Sequence, residues 1–378
     1  MNTDDENIES MKKKIKNYYT NYFDITLLLK LLHEFPIQYR EFGYESFELD
    51  EYKSSEEKKV SRFYRNLNVS DPIQLAQWLE TNIPKKVYLG AQYKTKINKT
   101  IEHTEWECTD LKFDIDIDAS ESIRKGICEC TGKNMCDACF EIAKEAAYFL
   151  IEVLDQDFAC TEFPSYKKNA LILFSGTKGL HIHYPNITRI KKEFTIKQEE
   201  SARRFIIDYF KMIESSKNES EKISRESFIS TSLQKHFETF ISYRFFVKTP
   251  IQKLKSMEWN GIRELKNGIY NKGKKMKEKE IEPILLKIKN DLAVTPSLVL
   301  NKDTFHKTYN LYYDTVFKNI LLYRYPRYDG VITYDLKRLI KVPNTVDGNT
   351  GRIVQEIKYE KLWDTSFSDL LTVDHFNT

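Results

Sequence analysis

At 378 residues, 41% hydrophobic and 13% aromatic, the chain is globular and long enough to bury a sizeable core, which suggests two domains or one domain with a large insertion. Its 59 basic and 56 acidic residues leave a formal charge of only +3, so global charge announces no polyanionic partner. The opening MNTDDENIES lacks the basic flank and apolar run of a secretion signal, and no uninterrupted apolar stretch reaches membrane-spanning length. A soluble, intracellular protein with no membrane association is expected.

The lysine-rich, aromatic stretch MKKKIKNYYTNYFDITLLLKLLHEF (11–35) spaces its apolar residues as a helix does, which predicts one helix up to Pro36. IQYREFGYESFELDEY (37–52) alternates as a strand or hairpin. In LKFDIDIDAS (111–120), Leu111, Phe113, Ile115 and Ile117 alternate with Lys112, Asp114, Asp116 and Asp118. A strand over 109–117 would put the apolar set on one face and a row of carboxylates on the other. CFEIAKEAAYFLIEVLDQDF (139–158) predicts a helix with Ile142, Ala146, Phe149, Leu150 and Val153 on one stripe. NALILFSGTKGLHIHYP (169–185) reads as strand, glycine turn, strand. From 190 to 310 the pattern is mostly helical and charged, with SARRFIIDYFKMI (201–213) the clearest amphipathic piece and a Ser/Glu/Lys loop at 214–226; an inserted helical subdomain is expected there. The most basic window, KNGIYNKGKKMKEKEIEP (266–283), reads better as a solvated surface than as a nucleic-acid contact. YRYPRYDGVITYDLKRLIKVPNTVDGNTGRIV (323–354) returns to strands and turns, so an α/β core would close with chain from both sides of the insertion.

Three constellations could carry chemistry. Carboxylates two apart on one strand face have Cα atoms about 6.5 Å apart, close enough for Asp114 and Asp116 to share divalent ions, which want hard oxygen ligands. The D-x-D pattern is also common on solvent-exposed strands, so alone it decides nothing. CECTGKNMCDAC places Cys128, Cys130, Cys136 and Cys139 as two close pairs about a short loop, the local arrangement of a Zn²⁺ knuckle. Four thiolates leave no open position, so such a site is structural; disulfides are not expected in a reducing compartment, and Cys108 and Cys160 read as ordinary thiols. SGTKGLHIH (175–183) turns on Gly176 and Gly179 and puts His181 and His183 on one face. Ser175, the turn amides, Lys178 and His181 could together cradle a triphosphate, although the spacing of a P-loop is absent. Either histidine taken alone is as readily a packed side chain.

LKFDID, the four-cysteine run, SGTKGLHIH and YDGVITYDLKRLIKVPNTVDGNTG occur in an order and spacing that resembles the catalytic small subunit of archaeal and eukaryotic DNA primase. YREFGY (39–44) and VYLGAQY (87–93) are similar to that family's N-terminal motifs. The resemblance covers most of the chain and weakens over 190–310. It implies an α/β primase catalytic core with a mixed sheet, a four-cysteine zinc knuckle (128–139) and an inserted helical subdomain. The core would comprise 1–190 and 311–378, and the insertion 191–310.

By the same resemblance, Asp114, Asp116 and Asp329 would hold two Mg²⁺ or Mn²⁺ ions, with Asp118 an extra carboxylate and Asp335 a weaker candidate. Ser175, Gly176, Lys178, Gly179 and His181 would bind the nucleoside triphosphate, with Thr177 where a basic residue often stands. Arg338 and Lys341 would be further nucleotide contacts, and Glu41 an acid of the active site. The family usually has a histidine where this chain has Asp347, and a carboxylate there would point at the triphosphate, where a like charge is unfavourable. The implied activity is synthesis of short primers on single-stranded DNA, with a large primase subunit as heterodimer partner. That partner carries an iron–sulfur domain, and the six cysteines here cannot supply both a knuckle and a four-thiolate cluster. The alternatives are a related primase-polymerase or end-joining polymerase, and a non-catalytic, zinc-stabilised nucleic-acid-binding subunit. The late motif looks closer to the archaeal form, which implies cytoplasm rather than nucleus.

Overall fold

The computed structural model describes residues 3–32, 35–50, 60–96, 105–117, 128–130, 135–161, 163–216, 219–223, 231–266, 269–294, 302–311 and 313–377. Asp118 lies outside them. By internal contacts the chain forms two compact units, Met1–Asp116 with Ser165–Ile207 and Tyr328–Thr378, and Ile117–Pro164 with Asp208–Arg327. Among the described residues no helix is long and apolar enough to cross a membrane.

Among the described residues the first unit contains two larger antiparallel sheets and a two-stranded pair, Val346–Asp347 with Arg352–Ile353. One runs in the order Ile340–Lys341, β3 (Lys86–Tyr93), β1 (Arg40–Leu49), β2 (Ser61–Leu67), with β4 (Trp106–Cys108) also on β3. The other runs Glu356–Ile357, β6 (Leu171–Phe174), β7 (Gly179–Tyr184), β5 (Leu111–Asp116). The α/β class is as expected, and every strand pair among the described residues is antiparallel rather than mixed. Phe42, Val87 and Leu89 of the first sheet and Leu171 and Leu173 of the second share one core with Leu31, Leu75 and Leu79 from flanking helices. Burying each such side chain contributes about 1.5–3 kcal/mol, which is what fixes the strand registers.

The expected helix over 11–35 is two helices, Thr3–Asn21 and Thr26–Leu32. Asp24 breaks it: its carboxylate accepts from the Thr26 amide at 2.8 Å, so the chain restarts from a side-chain cap instead of continuing. In β5 the apolar face is as expected, with Leu111, Phe113 and Ile115 at most 2% exposed, but Lys112 is buried as well. Its ammonium donates to the Arg338 carbonyl at 2.8 Å, and burial lowers its pKa to about 8. Behind it Asp110 accepts from Arg40 and lies 2.7 Å from His183 Nδ1. Those partners overcome the penalty of burial and hold its carboxyl well below the usual carboxylate range. Arg203 pairs with Glu199 at 2.7 Å and donates to the carbonyls of Thr109 and Asp110, tying a helix to the start of β5.

The second unit is organised on the helix Asp137–Asp157, whose Phe149, Leu150, Val153 and Leu154 are fully buried. Glu145 on that helix accepts from both Arg244 and Arg324 at 2.6 Å, and Phe149 packs edge-on against Phe210 and Tyr325. Where 190–310 was expected to be mostly helical, it includes two hairpins, Ile213–Ser216 with Glu219–Ile223 and Asn260–Lys266 with Ile269–Lys275. The first replaces the expected loop. Within 323–354, expected as strands and turns, Gly330–Tyr334 is a short helix.

Candidate active site

The carboxylates, the glycine turn and the pocket between them belong to the first unit. β5 presents Asp114 and Asp116 on one side, and a third carboxylate arrives from far along the chain. The Asp329 amide donates to the Asp114 carbonyl at 3.0 Å, an isolated antiparallel bridge, while the Asp329 carboxylate accepts from the Val331 amide at 3.1 Å and caps the Gly330–Tyr334 helix. Gly330 fits closely there, because a Cβ would sit 2.6 Å from Ile207 Cγ2 and that side chain would have to shift.

On the other side of β5 the register pairs Asp116 with Gly179 and Asp114 with His181. A Cβ at position 179 would lie 2.1 Å from the Ile115 carbonyl oxygen, so only glycine lets the turn close against the carboxylate strand. Gly176 takes φ +77°, a left-handed conformation that glycine adopts without strain. The Ser175 hydroxyl accepts from the Gly179 amide at 3.1 Å and holds the turn shut.

Asp114, Asp116, Ser175, Thr177, His181 and Lys341 line a pocket of about 260 Å³, walled also by Tyr88, Ile332 and Leu339. Burial, then the charges of Asp116 and Asp329, push the Asp114 carboxyl up to about 7, with Lys341 opposing. His181 Nε2 lies 3.7 Å from Asp114 Oδ1, and its buried Nδ1 has no hydrogen-bond partner among the described residues. Burial, reinforced by His183, Lys341 and Lys112, lowers its pKa well below the ordinary value, so it faces the pocket as a neutral imidazole. The Lys341 ammonium donates to Asp347 Oδ2 at 2.7 Å, to the Ser175 carbonyl at 2.8 Å and to the Thr177 hydroxyl at 3.2 Å.

Other residues singled out from sequence stand elsewhere. Glu41 is fully buried on β1, accepting from Arg65 at 2.7 Å and from the Tyr93 hydroxyl at 3.4 Å, and it does not line the pocket. Arg338 is half exposed and pairs with Asp335 at 3.2 Å, and neither it nor Lys178 lines the pocket. Asp347 does not face the pocket as a bare charge: it is completely buried and paired with Lys341. Tyr88 was not assigned a role from sequence, although it stands in the VYLGAQY motif; its register partner is Lys341, and its hydroxyl donates to Glu45 at 2.5 Å.

The crowding of carboxylates has a measurable consequence in chelator. The unfolded chain loses the Asp114 proton near pH 3.8 and the folded chain near 7, so the folded state binds more protons in between and stability falls as the pH rises through that window, then levels off. The melting temperature of the native chain should therefore fall relative to that of Asp114→Asn between pH 5 and 7. Parallel curves would contradict the assignment.

In the second unit, one sulfur from each of Cys128, Cys130, Cys136 and Cys139 lies within 4.8 Å of all the others. Cys136 caps the Asp137–Asp157 helix, and Cys139 lies in its first turn, buried. Amides at Ala138 and Cys139 and the neighbouring thiols outweigh burial and hold the Cys136 thiol below its ordinary pKa. This donor set could hold a metal ion.

Asp114 and Asp116 beside a glycine turn, a neutral histidine and a lysine, with the Asp329 charge acting on Asp114 from outside the pocket lining, define a candidate polyphosphate and cation site on an α/β scaffold. The model of the DNA primase small subunit matches residues 113–359, more than half of the chain, and the chain belongs to that family. It is 27% identical over 200 residues to the DNA primase small subunit PriS of Methanocaldococcus jannaschii, covering 52% of this chain and 51% of that one. The aligned stretch is thus about half the length of that relative. With the protein of the same name from Thermoplasma volcanium the identity is 23% over 327 residues, covering 86% and 72%, and with that from Archaeoglobus fulgidus 21% over 355 residues, covering 92% and 79%.

Proposed function

We propose that this chain is a primase catalytic subunit, synthesising short primers on a single-stranded DNA template from nucleoside triphosphates. The observation that carries it is the backbone bridge between Asp114 and Asp329, which brings a third carboxylate near enough to the β5 pair for its charge to act on Asp114, a lining residue of the pocket. The carboxylates fit divalent cations, since burial, then the charges of Asp116 and Asp329, disfavour the ionised Asp114, and a cation placed there would offset both. Asp114, Asp116 and Asp329 would hold Mg²⁺ or Mn²⁺, which when bound activates the 3′-hydroxyl and steadies the departing pyrophosphate.

The chain's own residues do the rest. Lys341 supplies a positive charge and His181 a neutral donor to the triphosphate, beside a turn that Ser175 holds shut. The four thiols fit a tetrahedral Zn²⁺, which would be structural. The names of the relatives support a large-subunit partner, and the archaeal-like late motif supports a cytoplasmic setting. The non-catalytic alternative is disfavoured by the convergence of three carboxylates.

Incubation with unprimed single-stranded DNA, labelled nucleotides and Mg²⁺ or Mn²⁺ tests the reading. Short labelled products are expected without an annealed primer. Products only with a primer would indicate an end-joining or gap-filling polymerase instead, and none under either condition a non-catalytic subunit.

A further inference from the structure

We propose that Asp347 is a positioning residue for nucleotide binding, acting from inside the core by fixing the ammonium of Lys341. The inference rests on the nucleotide-binding reading above. A lysine carries its charge on a flexible four-carbon stem with three donors, so something must aim it. Here all three donors are engaged, and the shortest contact is the one to Asp347 Oδ2.

Asp347 is itself held. It is fully buried, its Oδ1 accepts from the Asn349 amide at 3.0 Å, and its carbonyl accepts from the Gly351 amide at 2.8 Å. The same segment grips the phosphate-facing turn directly, because the Thr350 hydroxyl donates to the Gly176 carbonyl at 2.6 Å and a Cβ on Gly176 would stand 3.1 Å from Asp347 Cβ. The carboxylate therefore stands behind the ammonium and sets its direction. Of the three contacts, that to the Thr177 hydroxyl is the longest, and Thr177 lines the pocket. A phosphate oxygen would replace that hydroxyl while Asp347 and the Ser175 carbonyl keep hold.

The test uses the full chain. Asp347→Asn keeps the size and the oxygen that receives the Asn349 amide but removes the charge that anchors Lys341. Binding of a non-hydrolysable nucleoside triphosphate in Ca²⁺, measured by calorimetry, should weaken about tenfold; on a primed template KM should rise about as much with kcat within about twofold. The melting temperature reports any loss of fold. On a Lys341→Met background, Asp347→Asn should add no further loss of affinity, because it acts only through the lysine. That double variant leaves no buried unpaired charge, so its affinity, expected to equal that of the folded Lys341→Met chain, can be read even if Asp347→Asn alone folds poorly. Affinity unchanged or tighter in Asp347→Asn, or a loss that adds in full to that of Lys341→Met, overturns the inference. A native chain that binds no triphosphate overturns the nucleotide reading and this inference with it, whereas one that binds and polymerises while Asp347→Asn does the same overturns this inference alone.

Discussion

Asparagine at Asp116, or at Asp114 or Asp329, is expected to lower primer synthesis at least about a thousandfold, which corresponds to roughly 4 kcal/mol of lost transition-state stabilisation. Under the proposed reading each substitution removes one charge from the cation-binding centre and changes little else. Asparagine at 329 retains the carbonyl oxygen that accepts from the Val331 amide, so the helix cap survives, and the bridge to Asp114 is made by backbone. At 114 the expected structural effect has the opposite sign from the catalytic one. Burial and two like charges destabilise the ionised Asp114 carboxyl, so Asp114→Asn should melt higher than the native chain in chelator at pH 8. A merely structural carboxylate would give the reverse, with loss of activity tracking loss of stability. Asp118→Asn is expected to be mild. If it were as damaging as Asp116→Asn, the assignment along the strand would be wrong by two residues.

The second large effect concerns the cysteines. Cys136→Ser is expected to release zinc and destabilise the protein by several kcal/mol, because a metal bound only by the folded chain contributes its binding energy to folding. Cys136 stands at the N-cap position without a side-chain cap bond, and serine is among the better residues there, so the substitution does not weaken the helix start and a lower stability reports the missing thiolate. That helix carries Phe149, Leu150 and Val153 into the core of its unit, so loosening its first turn should be felt beyond the cluster. Metal analysis together with thermal melting checks it. Purified protein without zinc, and a melting temperature unmoved by the substitution, would refute it.

Much of the site could be read from local pattern. The alternation in LKFDID fixes which side of β5 carries Asp114 and Asp116, and Gly176 and Gly179 mark the turn before any coordinates are seen. Asp329 is different: no periodicity links it to Asp114, and only the family resemblance brought it forward, since the bridge between them is a tertiary backbone contact. Asp347 shows the limit of motif reading. By the family resemblance it reads as a charge facing phosphate, whereas the buried pairing with Lys341 depends on the strand Ile340–Lys341 lying where it does. Lys112 was placed on the polar face by period two, and it is on that face, but Asp110 and the Arg338 carbonyl make the face a buried one there. The break at Asp24 was missed because apolar spacing continues across it while a side-chain cap competes with the helix locally.

The carboxylate bed itself can be measured directly. Manganous ion titrated into the zinc-replete protein with a non-hydrolysable nucleoside triphosphate, and followed by its paramagnetic resonance, should show two ions bound per chain beyond those bound by the nucleotide-free Asp114→Asn/Asp329→Asn double variant. Equal uptake by the native chain and that variant, or none by either, would contradict the assignment of Asp114, Asp116 and Asp329 as the cation-binding centre.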